Sequence, residues 1–144
     1  MGERGHRFLE HTADVIIEAW GSTLEELFEE SAAATCEVMT DPSAVEPKEE
    51  RSVELEGFDL ENLLLRWIEW LIYMFDAEFM LFSEYDVERI WREGDSWRLR
   101  ALARGERYDQ RRHESRTHVK AATYSLMKVW REDDTWRARL TLDI

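Results

Sequence analysis

The most apolar stretch of the chain, residues 60–82, is interrupted by Glu61, Arg66, Glu69, Asp76 and Glu78. A membrane-spanning helix needs about 20 predominantly apolar residues, so a stretch broken this often belongs in a protein core instead. Within it Leu63, Leu64, Trp67, Ile68, Trp70, Leu71 and Ile72 wrap most of a helical circumference. A helix that is apolar on nearly every side must be covered on nearly every side, which makes it the centre of the fold. Asp59 stands at its N-cap position, and the helix is expected to run to about Phe75.

The other elements arrange themselves around that centre. Thr23 and Glu26 form a capping box ahead of Leu24, Leu27, Phe28, Ala32, Cys36 and Met39, which recur at helical spacing. The pair Asp41-Pro42 ends this helix, the first in chain order, because proline disfavours helical geometry in its predecessor. Residues 15–20 are β-branched and aromatic, and residues 51–56 alternate polar and apolar; both read as strands. Beyond Met80 the pattern is strands. Residues 85–91 and 97–103 flank the turn dipeptide Gly94-Asp95, and residues 119–130 and 136–142 flank Glu132-Asp133-Asp134. Residues 105–118 are polar and read as a long surface loop. The expected fold is α+β, with two main helices packed on antiparallel-rich β-sheets in one domain over residues 1–144. Residues 21–27 (GSTLEEL) and 57–63 (GFDLENL) are alike at a spacing of 36. An internal strand–turn–helix duplication and ordinary helix-capping chemistry both account for that likeness.

Charge excludes some functions. There are 19 Lys and Arg against 32 Asp and Glu, a formal balance of -13. No strong direct binding of nucleic acid is expected, since such binding needs excess cations to displace counterions from phosphates. Anionic membrane surfaces would repel the chain. Residues 1–88 hold 5 basic and 23 acidic side chains, residues 89–144 hold 14 and 9, and nearly all the cations are Arg. The expected arrangement is a self-complementing fold with Arg-rich strands against acidic helices; a bipolar surface is the alternative. The lone Cys36 excludes an internal disulfide and a cysteine zinc cluster. With no apolar segment after MGERGHRF to act as a signal, a cytoplasmic location is expected.

Standard catalytic signatures are missing: no P-loop, no GxGxxG, no GxSxG and no HExxH. Three aspartates stand out by position. Asp14 precedes the first strand, Asp41 follows the first helix, and Asp143 closes the last strand beside the terminal carboxylate of Ile144. Carboxylates at element ends can converge on one rim of a sheet and hold a hard divalent cation such as Ca²⁺, Mg²⁺ or Mn²⁺. Each also has an ordinary explanation as a strand end or turn former, and on position alone that explanation is the simpler.

The same positions carry a family resemblance. The segments FLEHTADVIIEAWGSTLEELFEESAAA from Phe8, VMTDPSAVEP from Val38, LENLLLRWIEWLIYMF from Leu60, GERYDQRRH from Gly105, VKAATYSLMKV from Val119 and the terminal LDI resemble the archease family. That resemblance implies a non-enzymatic activator of the RtcB-type tRNA-splicing RNA ligase, promoting GTP- and Mn²⁺-dependent guanylylation of the ligase and multiple turnover. It implies a divalent-metal site at Asp14, Asp41 and Asp143, with Ile144 adding its carboxylate. His11, Lys120, Asp109 and His113 fall in matching motifs and are expected to take part in partner binding. Ser125 departs from the family pattern, in which histidine often follows the TY pair. The resemblance also admits a chaperone-like partnership with a tRNA methyltransferase.

Overall fold

A computed structural model describes residues 2–9 and 14–144. Strands β1 (Gly5–Leu9) and β2 (Asp14–Gly21) lead into helix α1 (Leu24–Met39) and a short 3-10 turn (Pro42–Ala44). Then come β3 (Glu49–Gly57), α2 (Leu60–Glu78), the hairpin β4 (Met80–Glu93) and β5 (Ser96–Arg107), and the hairpin β6 (Ala121–Glu132) and β7 (Thr135–Asp143). One sheet has the order β1-β2-β7-β6 and the other β3-β5-β4, and every pairing is antiparallel. The α+β expectation holds.

Local chemistry explains where the helices begin. Thr23 Oγ1 accepts the Glu26 N–H at 3.1 Å, and Glu26 Oε1 accepts the Ser22 N–H at 2.9 Å. At α2, Asp59 Oδ1 accepts the Asn62 N–H at 2.7 Å, and Asn62 Oδ1 accepts the Phe58 N–H at 3.1 Å. Both ends thus use the same reciprocal scheme to satisfy backbone donors that a helix leaves without partners. Helix α2 runs past Phe75 to Glu78, where Phe79 takes a left-handed φ of 56° and returns its N–H to the Phe75 carbonyl.

The likeness at a spacing of 36 is a true duplication. β2, α1 and the hairpin β6–β7 form one strand–helix–hairpin unit; β3, α2 and the hairpin β4–β5 form a second, inserted between α1 and β6. Both have the same strand order, β2-β7-β6 and β3-β5-β4, and Gly21 pairs with Trp136 as Gly57 pairs with Trp97. The hairpin turns repeat as well: WREGDSWR from Trp91 and WREDDTWR from Trp130. The helices are exchanged between units. Glu25 of α1 accepts the Ile90 N–H of β4 at 2.9 Å, and Glu61 of α2 accepts the Val129 N–H of β6 at 3.0 Å. Trp67 of α2 is fully buried and donates its indole N–H to the Phe28 carbonyl of α1 at 2.9 Å. Leu63, Leu64, Ile68, Leu99, Leu140 and Leu142 complete the centre, so α2 is the central element its sequence requires.

β1 is a strand for which the sequence pattern carries no assignment, residues 5–9 (GHRFL) lacking strand alternation; it adds an edge outside the duplicated plan. Two expectations need correction. The polar segment from Gly105 is not all loop, because β5 continues to Arg107. Gly105 lies so close beneath β4 that a Cβ there would fall 1.8 Å from the Leu81 carbonyl oxygen; a side chain is excluded by contact, not by turn geometry. The Arg-rich strand β5 also faces an acidic strand instead of the acidic helices: Arg98 meets Glu56, Arg100 meets Glu54 and Arg104 meets Glu50 on β3. No helix is long and apolar enough to cross a membrane among the described residues.

Candidate functional site

Asp14 opens β2 and Asp143 closes β7, and the antiparallel register sets them directly opposite one another. Cβ atoms so placed lie about 4.5–5.5 Å apart, and like charges at such positions repel. The duplication shows what the same position holds elsewhere. Counting from Gly21↔Trp136 to Asp14↔Asp143 is the same step as from Gly57↔Trp97 to Glu50↔Arg104. In the inserted unit that position is an ion pair, with Arg104 Nε 3.0 Å from Glu50 Oε1. In the outer unit both members are carboxylates. Carboxylates on one cross-strand pair are the hard oxygen donors that a divalent cation would take, completing its shell with water. The rim is closed by Lys120, whose N–H donates to the Asp143 carbonyl at 2.8 Å, and by half-buried Ile144, whose side chain packs on the core.

Asp41 is placed differently. It caps the 3-10 turn, and its Oδ1 accepts both the Ser43 hydroxyl at 2.8 Å and the Ser43 N–H at 3.0 Å. Those bonds, hydroxyl first, hold its carboxyl below the usual range. Arg116 stands nearby on a segment strapped across the end of α1. Its N–H reaches the Met39 carbonyl, the Thr117 N–H reaches Val38, and its guanidinium donates to the Glu37 carbonyl at 3.0 Å. Asp14 and Arg116 line one concavity of about 400 Å³ with Phe8, Leu9, Val15 and Val38. The three aspartates therefore gather about one end of the molecule with Arg116 near Asp41. No group of three or more His, Cys, Asp or Glu side chains is drawn into metal-holding geometry among the described residues.

Of the residues expected to meet a partner, His11 lies outside the described residues. Asp109 and His113 belong to a loop clamp. His113 Nδ1 accepts the Asp109 N–H at 2.8 Å, which places its proton on Nε2, 2.9 Å from Glu106 Oε2. Its ring is enclosed, so it shapes the surface through the loop it holds. Asp109 Oδ1 accepts the Arg111 N–H at 2.9 Å. The centre of the clamp is a residue the sequence did not single out. Buried Glu106 takes both Arg112 guanidinium nitrogens, at 2.8 and 3.0 Å, and the Glu46 N–H at 2.8 Å. The bidentate Arg112 contact, helped by the Glu46 and His113 bonds, pulls its carboxyl down to about 2. Glu106 stands seven residues before His113 in GERYDQRRH, but nothing in that spacing signals burial.

Two side chains with catalytic potential are engaged in structural contacts among the described residues. His113 has both ring nitrogens engaged and offers no free base. The Cys36 thiol donates to the Phe82 carbonyl at 2.9 Å, and burial pushes it up to about 11, far from thiolate reactivity.

Comparison with known proteins agrees with this architecture. Residues 6–144 match the model of the archease protein family (MTH1598/TM1083). An archease of Sulfurisphaera tokodaii is 51% identical over 121 residues, covering 81% of this chain and 82% of its own. The archease of Sulfolobus acidocaldarius is 44% identical over 137 residues, covering 95% and 96%. The solution structure of Methanobacterium thermoautotrophicum protein 1598 has a TM-score of 0.86 at 42% identity, covering 97% of this chain and 99% of its own. The crystal structure of a Thermotoga maritima protein, described as an archease and possible chaperone, has a TM-score of 0.60 at 25% identity, covering 94% of each chain. The match runs from His6 to the last residue and takes in both duplicated units and the carboxylate rim, and on that ground the chain belongs to the archease family.

Proposed function

We propose that this chain is a non-enzymatic activator of an RtcB-type RNA ligase in cytoplasmic tRNA splicing, acting through a divalent cation held at its carboxylate rim. The observation that carries the reading is the pair Asp14 and Asp143, two carboxylates opposed at a register position where the duplicate unit has a Glu–Arg ion pair. Asp14, Asp143 and the Ile144 carboxylate would hold the cation, with Asp41 in support from across the Arg116 strap. A bound Ca²⁺, Mg²⁺ or Mn²⁺ supplies charge neutralisation for phosphoryl chemistry. The chain's own part is to present that rim to the ligase so that GTP is oriented for guanylylation. A balance of -13 suits an encounter with a basic RNA-binding enzyme and makes a direct grip on RNA unnecessary.

The test is RNA ligation at limiting cognate ligase with GTP and Mn²⁺ under multiple turnover. We expect strong stimulation by the intact chain and a loss of about 10²-fold or more in Asp14→Ala and Asp143→Ala, with a smaller loss in Asp41→Ala. Stimulation surviving all three substitutions in folded protein would remove the rim from the mechanism; no stimulation by the intact chain would remove the function. The description of the Thermotoga maritima protein as a possible chaperone supports a second reading, a chaperone-like role; the family resemblance implies a tRNA methyltransferase as its client. That reading predicts suppressed aggregation of the methyltransferase whether or not Asp143 is present.

A further inference from the structure

The duplication supplies an internal control for a second surface. In β4, Tyr85, Asp86 and Val87 stay in register with Ala103, Leu102 and Ala101 of β5; Val87 is buried and Tyr85 packs against the core. The corresponding stretch of β6 leaves its ladder. Pairing with β7 stops at Thr123↔Thr141 and resumes at Lys128↔Arg139, so residues 124–127 stand opposite Leu140 alone. Leu126 takes a left-handed φ of 61°, a conformation that a bulky residue seldom holds. The bulge turns Tyr124 and Leu126 outward, where they are 50% and 55% exposed.

This displaced segment is fixed in place. Thr141 Oγ1 donates to the Ser125 carbonyl at 2.6 Å, and the Ser125 N–H returns to Thr123 Oγ1 at 3.2 Å. The Asn62 amide, buried at the start of α2, donates to Tyr124 Oη at 2.6 Å and accepts the Phe58 N–H at 3.1 Å. Phe58 is 70% exposed and occupies the place that Ser22 takes in the outer unit. One buried amide thus joins Phe58 to Tyr124 and the bulge that carries Leu126. A bulge that breaks an edge ladder to expose apolar side chains, where the sister hairpin pairs and buries its own, is a feature of recognition.

Charge selects the occupant. Asp59 and Glu61 flank the patch, each accepting a backbone N–H, and neither has an ion pair among the described residues. Of the nearby cations, Lys128 is folded over the Trp130 ring at 4.8 Å, and Arg66 lies one helical turn beyond Asn62. A second copy would bring another -13 against this face and is disfavoured. We propose that Phe58, Tyr124 and Leu126 form a docking surface for an apolar segment flanked by Lys or Arg on a basic protein partner, whichever enzyme that partner is.

The experiment titrates the isotopically labelled full chain at physiological salt with two amphipathic helical peptides of one pattern, one of Leu and Lys, the other of Leu and Glu. Two variants accompany it. Phe58→Ser installs the residue of the outer unit and keeps the N–H to Asn62; Leu126→Gly suits the left-handed backbone. The Leu/Lys peptide is expected to shift the amides of Phe58 and of residues 124–127, to bind about tenfold more weakly to each variant, and to outcompete the Leu/Glu peptide. Unchanged affinity in both folded variants, shifts confined to other faces, equal binding of the two peptides, or no binding by either would overturn the proposal. Self-association seen by sedimentation and lost in Phe58→Ser would overturn it in favour of a second copy.

Discussion

His6 is a singly placed residue with consequences for a whole strand. Its Nδ1 lies 3.1 Å from Glu30 Oε1 and its Nε2 meets Glu37, both on α1, so the ring satisfies both carboxylates only as the imidazolium. Arg4 reinforces the contact, with Nε 2.6 Å from Glu30 Oε2 and a longer reach of 3.4 Å to Glu29. The Glu30 bond, outweighing partial burial and aided by Glu37, raises the His6 pKa. A raised folded-state pKa contributes stability that is complete below the unfolded value, about 6.5, and disappears as pH climbs through the folded value. The difference in unfolding free energy between the intact chain and His6→Ala is therefore expected to be about 1 kcal/mol near pH 6 and to shrink toward pH 9. A difference independent of pH would mean that the ring acts by packing alone. Because His6 is one of the few ties from β1 to α1, exchange of the β1 amides should quicken over the same range.

Among the elements, the segment after β5 depends most on a single buried carboxylate. Glu106 gathers the Arg112 guanidinium, the His113 ring and the Glu46 N–H, and through them fixes residues 108–113 against β5. Glu106→Gln removes the charge that pairs with Arg112 and is expected to cost about 1–3 kcal/mol. It should also speed amide exchange at Asp109, Arg112 and His113. The carboxyl is depressed to about 2, so its contribution is present above the unfolded value of about 4.3 and fades as pH falls toward 2. An unfolding difference that persisted unchanged at pH 2 would show that the charge is not its source. This clamp also marks the limit of what the sequence discloses. Thr23 and Asp59 announce their helices because capping is local chemistry, and Gly94-Asp95 announces its hairpin for the same reason. The circumference of apolar residues in α2 is likewise local and gave its central position. Glu106, Gly105 and the β6 bulge are settled by neighbours remote in the chain: the Glu46 N–H, the Leu81 carbonyl, and the Asn62 amide with the Thr141 hydroxyl. The prominence of Asp14, Asp41 and Asp143 was legible as a set of element ends. Their different settings were not, because the pairing of β2 with β7 joins the two ends of the chain and the bonds of Asp41 to Ser43 are indistinguishable in sequence from an ordinary turn.

At the scale of the molecule, the two units are alike in plan but neither supplies its own cover. The inserted unit, from Glu49 through Arg107, carries Trp67, whose indole N–H needs the Phe28 carbonyl, and Asn62, whose amide needs Tyr124. Its strand β4 presents the Val87 and Ile90 N–H groups to Glu29 and Glu25 of α1. The outer unit has the converse need, since the Val129 N–H of β6 is met by Glu61 of α2. Exchange of helices between units makes each core incomplete without the other, although each has the strand count of a small sheet. Residues 46–107 expressed alone are therefore expected to show helical signal without a cooperative transition and to bind apolar dyes, as packing-deficient states do. The full chain should unfold in one transition, with far-UV and tryptophan signals coinciding. A cooperative transition in the isolated fragment would show that the inserted unit is self-sufficient and that the exchanged contacts are secondary. The same interdependence bears on the rim. Asp14 and Asp143 meet only where β2 and β7 close the outer unit, and that closure rests on α1 and α2 being packed between the two sheets. Loss of the inserted unit should therefore abolish the cation binding proposed for this rim, to which it contributes no ligand.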